Sequence, residues 1–212
     1  MAFSVFEGLD GSGKSTLMRN LSEHLRSQQK NFIMTREPGG TPLAEDIRNL
    51  LLRREGEAPV ARTEVLLYQA SRAQHVDTVI EPALKAGQWV LCDRFYASTV
   101  AFQCFARGLD RTQIDFLNMY ATNNRKPDLT VLLDLPVKDS LSRIEQRNLT
   151  LGSESDRMEA EKISFHQAVR DGYLAQADEN PDSWLKLDAK KSPSDLFDLL
   201  RATLSHRRIL EP

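Results

Sequence analysis

Gly8-Leu9-Asp10-Gly11-Ser12-Gly13-Lys14-Ser15 satisfies every fixed position of G-x-x-x-x-G-K-[ST]. An apolar run over 3–6 precedes it, and residues 16–28 after it have the make-up of a helix. Strand, glycine-rich loop and helix in that order turn the pattern into a phosphate site. The glycines let the backbone wrap an anion with its N–H groups pointing inward. The helix N-terminus adds partial positive charge. Gly8, Asp10, Gly11, Ser12, Gly13, Lys14, Ser15 and Thr16 are therefore the expected cradle for the phosphates of a nucleotide. Lys14 reaches the β- and γ-phosphates, and the Ser15 hydroxyl can ligate Mg²⁺.

Outward from this loop, short apolar runs alternate with helix-like stretches. Strands are expected at 31–35, 89–92, 129–133 and 183–187, with Asp93 and Asp134 closing two of them. Helices are expected at 43–53, 63–84, 99–105, 112–121, 138–147, 158–177 and 194–206. Apolar strands of four to six residues between helices imply an α/β domain with a five-stranded parallel sheet covered on both faces. At 212 residues the chain suits one such domain over 1–212.

Composition excludes several classes. The formal charge of −2 leaves no broad basic surface for a nucleic acid polymer or an anionic membrane. No apolar run approaches the roughly 18 residues of a membrane span. Cys92 and Cys104 make neither a disulfide framework nor a metal site. With the first strand starting at once, no signal peptide is expected, and a cytoplasmic location is the default.

In such sheets ligands bind beyond the carboxyl ends of the strands. The charged groups there are Asp10, Arg36, Glu37, Asp93 and Arg94. A nucleoside triphosphate fills only the first loop, so Arg36 and Arg94, both bidentate phosphate binders, suggest a second anion. The polar segment 148–155 is flanked by Arg143, Arg147 and Arg157. It is either a solvated helix connection or a mobile lid that lowers arginines onto phosphates.

The chain resembles the thymidylate kinases, P-loop nucleoside monophosphate kinases of NTPase-like fold that phosphorylate dTMP. The resemblance rests on Phe6-Glu7 before the loop, Arg36-Glu37-Pro38-Gly39-Gly40-Thr41, Asp93-Arg94-Phe95, Ser98-Thr99, Gln103 and Asp156-Arg157-Met158-Glu159. It implies that ATP is the donor, that Ser15 and Asp93 hold Mg²⁺, and that Arg36 and Arg94 clamp the dTMP phosphate. Asp10 would accept a hydrogen bond from the 3′-hydroxyl and Tyr68 would stack on thymine. Arg72 would face thymine O4, and Gln103 the base edge. Ser98, Thr99 and Phe102 would complete the acceptor site. The resemblance also implies a homodimer.

Two positions depart from the family pattern. Phe102 stands where a Tyr is common, which removes a phenol near C2′. The phosphate loop has no Arg, as in the bacterial-type subgroup, where lid arginines supply the charge. Arg147, Arg143 and Arg157 are the candidates, in that order. Arg143 alternatively stacks on adenine, beside Asp188-Ala189-Lys190-Lys191. The acceptor phosphate is already ionised near pH 7, so no general base is expected. Catalysis would be positioning plus neutralisation by Lys14, Arg94, the metal and a lid arginine. The alternatives are a kinase of another nucleoside monophosphate and a non-catalytic nucleotide-binding regulator. No N-K-x-D guanine signature is present.

Overall fold

A computed structural model describes residues 2–152 and 154–209. Five strands form one parallel sheet: β1 (Phe3–Glu7), β2 (Phe32–Arg36), β3 (Trp89–Asp93), β4 (Leu129–Asp134) and β5 (Trp184–Asp188), in the order β2-β3-β1-β4-β5. Register aligns Phe6 with Asp93, Arg36 with Asp93, and Asp134 with Asp188. The charged ends of the strands therefore gather along one edge, beside the loop that follows central β1.

Alternation along the strands feeds two cores, because successive side chains point to opposite faces. Phe6, Leu91, Val131 and Leu133 pack with Leu17, Leu21, Leu25, Leu200 and Leu204 on one face. These helical residues belong to α1 (Lys14–Ser27) and α9 (Pro193–His206). On the other face Phe3, Val5, Val90 and Cys92 meet Val76, Ile80 and Phe95. Leu132 on that face meets Val169 and Tyr173 of α8 (Ile163–Glu179). Cys92 and Cys104 are free thiols. Among the described residues, no helix is long and apolar enough to cross a membrane.

Helix starts follow capping chemistry. Thr41 accepts from Ala44 N at the head of α2 (Pro42–Leu52), with Pro42 in the first turn. Asp110 caps α6 (Arg111–Ala121) and Ser192 caps α9 in the same way.

Three expected elements come out differently. The single helix expected at 63–84 is α3 (Ala61–His75), a π-helical turn (Val76–Ile80) and α4 (Glu81–Lys85). Pro82 has no N–H to offer the α ladder, and the turn ahead of it widens. The stretch expected at 99–105 is α5 (Tyr96–Thr99) followed by a second π-helical turn, Val100–Ala106. The lid expected at 148–155 is a loop only in part. Helix α7 (Val137–Leu151) runs through its first half and stops at Gly152, whose φ of 61° is the left-handed C-cap conformation. Ser153 lies outside the described residues. The next helix, α8, begins at Ile163 rather than at 158, because Asp156 caps a separate turn through the amides of Met158 and Glu159.

The second π-helical turn lies unusually close to α8. A Cβ on Gly172 would come within 2.8 Å of the Phe105 ring and 3.0 Å of the Ala101 Cα. In an open helix Gly→Ala gains about 1 kcal/mol, but overpacking costs about 1–3 kcal/mol. Gly172→Ala is therefore expected to lower the urea midpoint, with the slope of the transition unchanged.

Candidate active site

The phosphate loop needs its glycines for space. Gly8 has φ +132°, and a Cβ there would strike the Leu133 carbonyl oxygen of β4. Gly13, with φ +97°, turns the chain into α1. Lys14 is 6% exposed. Its Nζ donates to Gly8 O and Leu9 O, both at 3.1 Å, and lies 3.7 Å from Asp10. Burial, and then the charge of Arg94, push its ammonium pKa down. Ser15 is exposed at the start of α1, Thr16 is half-buried, and the Ser12 hydroxyl is buried without a partner among the described residues.

Beside the loop opens a cavity of about 310 Å³. Its walls include Asp10, Ser15, Arg36, Tyr68, Arg72, Asp93, Arg94, Ser98, Thr99, Phe102, Gln103 and Arg147. Twelve expected site residues thus come to one place. Arg94 is its hub. It sits just past β3 with φ +70°, a left-handed conformation that costs a non-glycine residue about 1 kcal/mol or more. Nη2 donates to Asp10 Oδ1 at 2.8 Å and Nη1 to the Tyr173 hydroxyl at 2.7 Å, and the guanidinium lies 5.4 Å from the Phe102 ring centroid. Behind it is Glu7, fully buried, accepting from Phe95 N, Ser98 Oγ and Tyr173 Oη. Burial raises the Glu7 carboxyl pKa against the opposing charge of Arg94. Burial also favours protonated Asp10, but Arg94 and Lys14 outweigh it and hold that carboxyl well below its usual range.

A second cluster forms the far wall. Arg72 is 2% exposed, with Nε on Glu37 Oε2 at 2.7 Å and Nη1 on Thr99 Oγ1, Gln69 Oε1 and Asn118 Oδ1. His75 takes the other oxygen of Glu37. Tyr68 lies one turn before Arg72 and is buried enough to push its hydroxyl above the usual phenol range. Gln103 donates to Glu64, which also binds Arg107 and Arg157.

The three lid arginines separate. Arg147 reaches the cavity and is held by Glu159 at 2.8 Å. It lies inside α7, one turn before the helix ends. Arg143 donates to Gly11 O and Ala189 O, outside the cavity wall. Arg157 is turned away, onto Leu51 O and Glu64 Oε2. Arg36 is 54% exposed and paired with Glu45. Glu64 and Tyr173 escape sequence reasoning. Their only signal is polarity at positions whose helical neighbours are apolar.

A parallel sheet with this loop after its central strand, and an arginine-lined cavity beside the loop, defines a P-loop nucleotide-binding protein with room for a second anion. Residues 6–199 match the family model described as Thymidylate kinase. A thymidylate kinase of Bdellovibrio bacteriovorus is 52% identical over 210 residues, covering 99% of this chain and 98% of that one. One from Geotalea uraniireducens is 46% identical over 206 residues, covering 97% of each. The crystal structure of thymidylate kinase from Ehrlichia chaffeensis superimposes with a TM-score of 0.76 at 31% identity, covering 96% of this chain and 98% of that one. The chain belongs to the thymidylate kinase family, a family of nucleoside monophosphate kinases.

Glu64 gives the site a pH dependence. Burial favours its protonated form, but hydrogen bonds from Arg157, Gln103 and Arg107 outweigh that and lower its pKa. A depressed carboxyl contributes stability that is present above its unfolded pKa and lost as pH falls through the folded one. Arg157→Gln is expected to cost about 1.5–3 kcal/mol at neutral pH, the range for a hydrogen bond to a charged group. It should also flatten the loss of stability below pH 5. Urea melts of both proteins from pH 7 to pH 3 check this.

Proposed function

We propose that this protein transfers the γ-phosphate of ATP to dTMP, giving dTDP and ADP. The observation that carries the reading is the cavity in which Arg36, Arg94, Arg72 and Tyr68 stand beside a phosphate loop, in a chain of the thymidylate kinase family. Lys14 and the loop N–H groups hold the ATP phosphates, and Arg36 and Arg94 grip the phosphate of dTMP. Asp10 takes the 3′-hydroxyl, Tyr68 stacks on the base, Arg72 faces O4 and Gln103 faces the ring edge. Ser98 and Thr99 brace Arg94 and Arg72 from behind. Phe102 fills the space near C2′ without a hydroxyl.

Mg²⁺ suits the donor set of Ser15 and Asp93. Asp93 Oδ1 is buried and has no hydrogen-bond partner among the described residues, so a carboxylate oxygen stands available. No group of three or more His, Cys, Asp or Glu exists among the described residues to cage an ion. Such an ion would be held by Ser15 and Asp93 and would supply charge neutralisation. The protein's own part is to align two anions and cancel their repulsion. No side chain need remove a proton, because the acceptor oxygen is already ionised.

Arg147 is the lid arginine that serves the transferring group. Its pair with Glu159 is part-exposed, and such pairs are worth only about 0–1 kcal/mol, so a phosphate can displace it. Arg143 serves the adenine side, next to Ala189. The working form is a homodimer in the cytoplasm. Helix α6 exposes Phe116, Met119 and Tyr120, and neighbouring α3 exposes Leu66, an apolar face suited to a second copy.

Mixing the protein with ATP, Mg²⁺ and a panel of monophosphates should release ADP fastest with dTMP. Lys14→Ala should then lose at least about a hundredfold in turnover, as when a main electrostatic contact is removed. Near-normal turnover would overturn the assignment. Arg147→Ala should lower kcat and leave the dTMP KM nearly unchanged, because a transition-state contact is lost. If kcat moves by less than about threefold, the arginine has no such role.

A further inference from the structure

We propose that Glu64 sets the base selectivity of the site by fixing which end of the Gln103 amide faces the cavity. The inference rests on the dTMP reading above and adds a residue that does not touch the acceptor. Glu64 lies on α3, one turn before Tyr68, and is 1% exposed. It is absent from the cavity wall, whereas Gln103 is part of it.

Glu64 is held on both oxygens. Oε2 accepts from Arg157 Nη2 at 2.7 Å and from Arg107 Nη2 at 3.3 Å. Oε1 accepts from Arg107 Nε at 3.3 Å and from Gln103 Nε2 at 2.9 Å. Two guanidiniums keep the carboxyl ionised, and an ionised carboxylate can only accept. The end of the Gln103 amide turned toward it has to be the NH₂ group. The carbonyl Oε1 then points the other way, and among the described residues no donor meets it. The cavity is therefore shown an acceptor.

The neighbouring group is a donor. Glu37, Gln69, Thr99 and Asn118 occupy Arg72 Nε and Nη1, which leaves Nη2 for a ligand. Donor beside acceptor complements a base that offers a carbonyl beside an N–H, as thymine does at O4 and N3. Cytosine carries the reverse pattern, an amino group beside an unprotonated N3. Turning the Gln103 amide around would accommodate N3 of cytosine, and Glu64 forbids the turn. Glu64 is a positioning residue for specificity.

The test compares dTMP with 5-methyl-dCMP, which share phosphate, sugar and methyl group and differ only at N3 and C4. The wild type should strongly prefer dTMP in kcat/KM. In Glu64→Gln the amide at 64 can donate or accept, so Gln103 is free to turn. The preference should fall by about tenfold or more, since sites that match a hydrogen-bond pattern discriminate strongly. Arg107→Met removes contacts to Glu64 but leaves it ionised through Arg157, and its preference should stay within about twofold of wild type. If Glu64→Gln gives no cooperative melt, Glu64→Asp keeps the charge and withdraws the acceptor by one methylene. The preference should fall in that variant also. An unchanged preference in a folded variant at 64, or an equal fall in Arg107→Met, overturns the role of Glu64. A wild type that leaves dTMP unphosphorylated overturns the kinase reading instead.

Discussion

A carboxylate taken out of water has to have its charge met, and that requirement organises this molecule. Glu7, Glu37 and Glu64 are all buried, and each is met by an arginine or by hydrogen-bond donors. Glu37 binds Arg72, Glu64 binds Arg107 and Arg157, and Glu7 lies 4.0 Å from Arg94 with four further donors. Arg72 and Arg94 line the cavity, with Glu37 beside the first and Glu7 behind the second. Arg72–Glu37 is the pair enclosed on both sides, and removing one partner of a pair so buried costs about 3–5 kcal/mol, which holds Arg72 firmly in place.

Magnitudes separate the fixed cations from the mobile ones. Arg36 and Glu45 pair in the open, and Arg147 is itself half-exposed on the more enclosed Glu159; pairs open to water contribute about 0–1 kcal/mol. Arg72 and Arg94 are enclosed. Two enclosed guanidiniums and two loosely tethered ones thus line the same cavity. Under the proposed reaction the first pair would position the acceptor and the second would supply neutralising charge. A reaction whose main obstacle is repulsion between anions needs both.

The strands were legible in the sequence because a parallel strand buried on both faces is an unbroken apolar run. The phosphate loop was legible because its chemistry is contiguous, from Gly8 to Ser15. Tyr68, Arg72 and Gln103 could be placed only through the family resemblance. Helix ends were less legible. The polar stretch after Arg147 reads as loop, yet it completes α7, since Asn, Leu and Thr there are tolerated by a helix and only Gly152 ends it. Glu64 and Tyr173 were hidden because their meaning comes from partners far along the chain. Tyr173 meets Glu7 across 166 positions and Glu64 meets Arg157 across 93. Nothing local distinguishes such residues from ordinary polar positions on a helix.

The close approach at Gly172 has a mechanical side. With no side chain between them, α8 and the turn Val100–Ala106 have no room to slide past one another. Tyr173, from one, and Phe102 and Gln103, from the other, are thereby parts of a single stiff block that also carries the strand end bearing Arg94. The opposite bank is built differently: α7 ends at Gly152 and is tied to the phosphate loop, Ser140 Oγ donating to Asp10 O and Arg143 to Gly11 O. The cavity thus has one wall like an anvil, set by α8 and the turn Val100–Ala106, facing a second wall that belongs to the phosphate loop and to the helix carrying Arg143 and Arg147.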